Sequence, residues 1–316
     1  MVKKALLGQV SDTEIRLLRI FKAVVECGGL AAAELELNIG RSTVSRHVKD
    51  LEERLDLVLC RRGRAGFALT PDGQRVYEGT VHLLGAMEAF RSGVRDMHAE
   101  LVGTLSIGLF DKTVTNPKAH IGEAVRRFRR IAPEVMIDVA VGTLNDIESR
   151  VIDGRLHVGV IPDHRRSESL DYEELFGETM HLYCGRQHPL FGTSHQELSW
   201  SELEDYDYAG LAFHSPNMEA THRFRLRRTA TVSDQEAIAS LVLSGCYIGF
   251  LPDHYAATFV ESGLIQEVAH PQCMYEVQFV AISRRTPRPA RLTTTFLDAL
   301  RLSHPRLGGT PDQRKV

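Results

Sequence analysis

No apolar run in this 316-residue chain approaches the ~20 residues that a membrane-crossing helix requires, and Asp153, Arg155 and His157 interrupt even its oiliest stretches. The start, Met1 to Leu7, carries Lys3 and Lys4 but lacks a long apolar core and a cleavage site, so no secretory signal is expected. Cysteine is scarce: Cys27, Cys60, Cys184, Cys246 and Cys273 are odd in number, far apart and without a Cys-x-x-Cys pair. That excludes a disulfide framework and fits a reduced, cytoplasmic chain. Cys184 and Cys246 stand in apolar strand or helix-end contexts and are expected as buried small hydrophobes, not as a redox switch. Catalytic signatures are missing too: there is no Gly-x-Ser-x-Gly, Gly-x-Gly-x-x-Gly, P-loop or His-Glu-x-x-His. His181, His188, His195, His214 and His222 lack ligand-like spacing with cysteines or carboxylates, so neither a metal nor a cofactor is expected.

What is present is an ordinary globular composition over a length that calls for two or three domains. The net charge of −3 is unevenly spread. Residues 1–70 hold 12 Lys and Arg against 9 Asp and Glu, a net of +3; the remainder holds 26 against 32, a net of −6. A basic end on an acidic body is the asymmetry expected if only that end meets phosphates.

Within the basic end, Ile15, Leu18, Phe21 and Val25 carry a helical apolar rhythm, with Asp12 and Thr13 as candidate caps and Gly28-Gly29 as the stop. An Ala-rich segment, Leu30 to Leu37, precedes a turn at Asn38-Ile39-Gly40. A second helix then runs from about Arg41 to Leu57, with Val44, Val48, Leu51 and Leu55 on one stripe. On a helical wheel Ser42, Ser45, Arg46 and Lys49 fall on the opposite side, and with Arg41 and Thr43 they are the candidate DNA contacts of this helix. By itself such a face is as often merely solvated; in a helix–turn–helix it can enter a major groove. Cys60 to Thr70 follows as a tight hairpin whose Arg61, Arg62 and Arg64 could lie along phosphates.

The run Val44 to Glu52, then Leu59-Cys60-Arg61-Arg62, then Leu69-Thr70-Pro71-Asp72-Gly73, resembles the winged helix-turn-helix of LysR-type transcriptional regulators. The likeness extends over nearly the whole chain. Gly29 replaces a frequent Ser, Ala33-Glu34 a pair of alanines, Arg41 a Gln and Cys60 a Phe, differences that bear on base preference because Arg favours guanine. After Gly73, Tyr77, Val81, Leu84, Met87, Phe90, Val94, Met97 and Leu101 make seven steps over 24 residues, about 3.4 each, close to a coiled-coil repeat. Gly79, Gly85 and Gly93 weaken that helix, and packing on its own domain is the plainer reading. The resemblance implies instead a linker helix over residues 71–101 that pairs two chains, giving a dimer or tetramer.

From Leu101 to Leu109 a buried strand is expected, followed by alternating helices and strands: a helix with Ile121, Val125, Phe128 and Ile131, strands at Val135 to Val141 and His157 to Ile161. A second unit begins near His181 and includes Ala237 to Pro252; a strand from Val277 to Ile282 and a helix from Arg291 to Leu302 close the chain. Such alternation reads as an α/β fold with a mainly parallel sheet. These segments resemble the family's effector domain, residues 102–316, itself similar to periplasmic binding proteins. Subdomain 1 then comprises about 102–178 and 272–303, and subdomain 2 about 179–271. Clefts of this kind lie at the carboxyl ends of strands, where helix N-termini face anions. Thr113, Thr115, Thr143, Phe213, His214 and Ser233 are therefore the candidate contacts for a small effector, an organic anion by this argument, with helix caps or turn residues as the alternative for each.

The function expected is ligand-responsive transcription regulation, with double-stranded DNA, a small molecule and a second copy of the chain as partners and no membrane. A solute-binding component, or an enzyme using the same cleft, stays open as an alternative for the second part alone.

Overall fold

The computed structural model describes residues 10–63, 66–96, 101–193, 200–212, 225–268, 273–286 and 288–304. The chain divides into two compact units, Met1–Ser92 and Gly93–Val316.

The first unit contains α1 (Asp12–Glu26), α2 (Leu30–Leu37), α3 (Arg41–Leu55), the hairpin β1 (Cys60–Gly63) and β2 (Gly66–Leu69), and the start of α4 (Pro71–Asp96). The cap of α1 is Ser11, one residue ahead of the pair expected from sequence. Ser11 and Glu14 form a reciprocal capping box: the hydroxyl accepts from Thr13 N–H, and the carboxylate accepts from Ser11 N–H at 3.0 Å. Asp12 and Thr13 thereby fall inside the first turn, where Asp12 meets the helix dipole favourably. Glu14 also pairs with Arg54 at 2.5 Å, tying α1 to α3. The Ser11 hydroxyl first, then backbone N–H groups and Arg54, hold its carboxyl down to about 2. Phe21, Val24, Val44, Val48 and Leu59 are wholly buried between the three helices and the hairpin.

Two devices fix the hairpin. Glu52 on α3 accepts from the N–H groups of Leu59 and Cys60, at 2.8 and 3.2 Å. Thr70 donates its hydroxyl to the Val58 carbonyl and accepts from Gly73 N–H at 2.9 Å, so the first turn of α4 is bolted to the strand entry. A Cβ on Gly73 would stand 1.9 Å from the Leu59 carbonyl oxygen, which is why the Pro-Asp-Gly run tolerates no side chain there. Further along α4, Val76 and Tyr77 pack against this core and Val81 is buried, whereas Phe90 and Val94 are 73% and 40% exposed. The helix is described to Asp96; Met97 of the apolar stripe lies outside the described residues.

The second unit is built on β3 (Gly103–Phe110), α5 (Ile121–Ile131), β4 (Val135–Gly142), α6 (Leu144–Ile152), β5 (Val158–Pro162) and β6 (Leu170–Gly185). It continues with α7 (Trp200–Glu204), β7 (Tyr208–Leu211), β8 (Arg228–Val232), α8 (Gln235–Leu243), β9 (Ile248–Pro252), α9 (Asp253–Glu261), β10 (Ile265–Glu267), β11 (Met274–Arg284) and α10 (Arg291–Ser303). The strands join in the order β4-β3-β5-β11-β6-β9-β7-β8, with β10 beside β6. The sheet is mixed and not mainly parallel. The triplets β4-β3-β5 and β9-β7-β8 are parallel, and the antiparallel β6 and β11 join them into one sheet. His181, taken from sequence as the start of a second unit, lies near the end of β6, which has 16 residues. Among the described residues only Met180 to Cys184 of β6 also meets β9, and the half from Leu170 to Thr179 pairs with β11 alone and carries polar residues that hide a strand signal.

Two apolar layers sit on the sheet: Phe128 and Phe296 between α5 and α10, and Ile147, Phe250 and Phe279 in the larger core. Gly159 lets α6 settle on β5, since a Cβ there would come within 2.6 Å of Ile147. Cys184 is buried as expected, and burial pushes its thiol up to about 12. Cys246 is exposed, contrary to expectation, because it falls in the polar turn closing α8, its N–H donating to the Ser244 hydroxyl.

Candidate functional site

The helix α3 has two faces of opposite character. Val44 and Val48 are fully buried, while Arg41, Ser42, Arg46 and Lys49 are exposed and Thr43 and Ser45 half-buried. Arg41 and Arg46 make no ion pair among the described residues; Lys49 reaches Glu53 at 3.5 Å with 72% of its side chain in water, too loose to neutralise it. Asn38, held at φ 51°, turns the chain between α2 and α3, so that the basic face starts directly at the turn. Arg61 is exposed on β1. The backbone of Arg62 pairs with Phe67 in the same hairpin; its side chain, and the whole of Arg64, lie outside the described residues. Three exposed cations on one helix face beside a basic strand make a surface suited to a polyanionic groove.

In the second unit, β3 lies between β4 and β5, and β7 between β8 and β9. The carboxyl ends of β3 and β7 are thus the switch points where an α/β sheet opens a crevice. After β3, Lys112 sits at φ 59°, a conformation that costs a non-glycine residue about 1 kcal/mol, and the chain turns toward α8 and α9. Five contacts tie the loop after β3 to α8 and α9, and α9 to β6. Asp111 accepts from Gln235 N–H at 2.8 Å, and the Lys112 ammonium meets Glu236 at 2.8 Å and the Tyr255 ring at 4.8 Å. Thr115 Oγ1 lies 2.8 Å from His254 Nδ1, and His254 Nε2 lies 3.1 Å from Glu178 on β6.

Thr115 donates to the Lys112 carbonyl at 2.9 Å, so its oxygen accepts from His254 Nδ1–H. The buried Glu178 carboxyl beside His254 is raised by desolvation. Asp111 is pushed up to about 6, chiefly by burial and further by the charges of Asp234 and Glu178.

The residues singled out from sequence take several positions. Thr115 belongs to this cluster through His254. Thr113 is buried and donates to the Phe110 carbonyl at 2.6 Å. Thr143 caps α6, accepting from Asp146 N–H at 3.4 Å. Ser233 is exposed and donates to Asp234; Asp234, and not Ser233, caps α8, with its carboxylate on Ala237 N–H at 2.8 Å. Phe213 and His214 lie outside the described residues. Asp111, Glu178, Gln235 and His254 escaped the sequence reading. Their partners are 76 to 139 residues away, a pairing that no local pattern encodes, although the strand ends before Asp111 and His254 were legible.

Comparison with known proteins bears on both surfaces. Residues 15–74 match the bacterial regulatory helix-turn-helix proteins of the lysR family, and residues 98–303 match the LysR substrate binding domain. The HTH-type transcriptional activator BauR of Pseudomonas aeruginosa is 41% identical over 297 residues, 94% of this chain and 97% of that protein. The probable HTH-type transcriptional regulator LrrA of Synechococcus elongatus is 28% identical over 240 residues, 74% of this chain and 79% of that one. The fold is shared with CbnR, a LysR family transcriptional regulator, at a TM-score of 0.65 and 21% identity, covering 93% of this chain and 100% of the other. CbnR in complex with its target DNA aligns at 0.62 with 22% identity, over 92% and 99% of the two chains.

Proposed function

The chain belongs to the LysR family of DNA-binding transcriptional regulators, and on that footing we propose how its residues divide the work. Residues 1–70 read DNA. The helix α3 enters the major groove with Arg41, Ser42, Thr43, Ser45, Arg46 and Lys49, and Arg61, Arg62 and Arg64 of the hairpin hold phosphates. Residues 71–101 pair two chains through α4. Residues 102–316 sense a small molecule in the crevice at the ends of β3, β8 and β9, and that binding changes how the paired readers meet DNA. The activator role of the 41% identical relative favours activation as the outcome. Relatives that are transcription regulators support a sensor without catalytic turnover, acting in the cytoplasm on DNA.

The observation that carries the DNA reading is the split of α3 into a buried aliphatic stripe and an exposed face bearing Arg41, Arg46 and Lys49. Its test is a set of fluorescence-anisotropy titrations of the full chain on duplex DNA from upstream of its own gene. Roughly six phosphate contacts in a dimer would lower affinity about a thousandfold between about 50 and 200 mM salt. Arg61→Ala should flatten that salt slope on any duplex, whereas Arg46→Ala should cost roughly 1–3 kcal/mol on this sequence and little on a scrambled one. A salt-independent affinity, or the two phenotypes exchanged, would reject the assignment.

A further inference from the structure

Beside the Lys112 ammonium, the crevice wall presents two acceptors, a carboxylate oxygen of Asp111 and the side-chain oxygen of Gln235. We infer that the group recognised there is an ammonium, held by Asp111 and the side-chain oxygen of Gln235, so that the effector is a small primary amine. This rests on the crevice being the effector site, as proposed above.

Three observations converge on it. First, the N-termini of α8 and α9, which would draw an anion into this part of the crevice, are already filled by the protein's own carboxylates. Asp234 takes Ala237 N–H and Asp111 takes Gln235 N–H, both at 2.8 Å, on α8; on α9, Asp253 takes His254 N–H at 2.6 Å. An incoming carboxylate would meet those groups as like charges.

Second, Gln235 is 3% exposed, and its Oε1 is buried with no hydrogen-bond partner among the described residues. Asp111, bonded to the same residue's backbone, is engaged through Oδ2 alone among the described residues and keeps its other oxygen. A buried orphan acceptor is expensive to leave unpaired, and an ammonium brings three N–H donors. Third, the wall already seats one ammonium. Lys112 Nζ lies between the Glu236 carboxylate and the Tyr255 ring, the carboxylate-and-aromatic setting that favours alkylammonium groups.

The inference separates three four-carbon compounds of matched length: 1,4-diaminobutane, 4-aminobutanoate and succinate. Hydrogen–deuterium exchange of the full chain, with each at about 10 mM, well above the weak-binding range, locates any protection. One or both amines should protect the loop after β3 and the first turn of α8, and succinate should not; which amine acts tells a diamine from an amino acid. Calorimetric titration of the amine that protects should then weaken about tenfold or more in Asp111→Asn, and severalfold in Gln235→Met, which removes the acceptor at similar volume. Circular dichroism of both variants checks the fold.

Protection by succinate alone overturns the ammonium assignment and leaves the crevice as the effector site. So does failure of both amines to protect, or undiminished amine binding in both variants. Protection by an amine mapped wholly outside these loops overturns the crevice reading itself.

Discussion

Asp111 is ionised at neutral pH against the preference of its surroundings. Burial, with the charges of Asp234 and Glu178, moves its carboxyl from 3.8 to about 6, and the Gln235 N–H and Lys112 offset this only in part. A raised acid pKa means that the folded state binds the proton more tightly than the unfolded chain does. The penalty is therefore complete above about pH 6, shrinks as pH falls, and is gone below about 3.8. Asparagine keeps an acceptor for Gln235 and carries no charge. Asp111→Asn should accordingly stabilise the second unit at pH 7.5 by on the order of 2–3 kcal/mol, with the gain vanishing by about pH 4. Guanidinium unfolding followed by Trp200 fluorescence measures this, because the chain's single tryptophan lies in that unit. A stability difference that stays constant across the pH range would mean that Asp111 is not strained by its burial. Sequence alone could not have singled out Asp111: its surroundings are assembled from α8 and β6, both distant in the chain, whereas the threonines beside it stand out by residue type.

Elements whose chemistry is local were legible. The stripe of α3, the turn at Asn38 and the hairpin each follow from residues within one element, and the structure has them where periodicity placed them. Elements defined by distant partners were not: the polar half of β6 makes sense only beside β11, and the antiparallel pair that joins the two parallel triplets leaves no periodic mark. The junction from β2 to α4 is a local case with a sharp test. Gly73 has no room for a methyl group, and the atom it would strike is backbone, the Leu59 carbonyl, itself anchored by Thr70. Gly73→Ala should destabilise the first unit by about 1–3 kcal/mol or more, as overpacking does. Thermal unfolding of the full chain should show an earlier far-ultraviolet circular dichroism transition, with the Trp200 transition unmoved. If both transitions stay in place, the β2–α4 junction yields more readily than its hydrogen bonds imply.

At the scale of the whole molecule, α4 poses a problem that one chain does not solve. Its beginning is covered by its own unit, through Val76, Tyr77 and Val81, so the plainer reading of its apolar repeat holds for that half. Phe90, at 73% exposure, and Val94 continue the same repeat into water. An apolar stripe at coiled-coil spacing is satisfied by the same stripe on a second copy, and a two-fold pair presents two α3 helices to successive half-sites of a duplex. The charge distribution acts in the same direction: with +3 on residues 1–70 and −6 on the rest, phosphates attract one end of each chain and repel the other. Pairing should therefore contribute to DNA affinity through effective concentration rather than through new contacts. Phe90→Glu combined with Val94→Glu places like charges on the stripe, and sedimentation should show the parent as a dimer or larger and the variant as a monomer. Operator affinity should fall by about a hundredfold or more as the second reader is lost, while binding of one chain to a half-site duplex is preserved. A parent chain that sediments as a monomer at micromolar concentration, or a variant that keeps both its assembly and its operator affinity, would place the pairing surface elsewhere than on this helix.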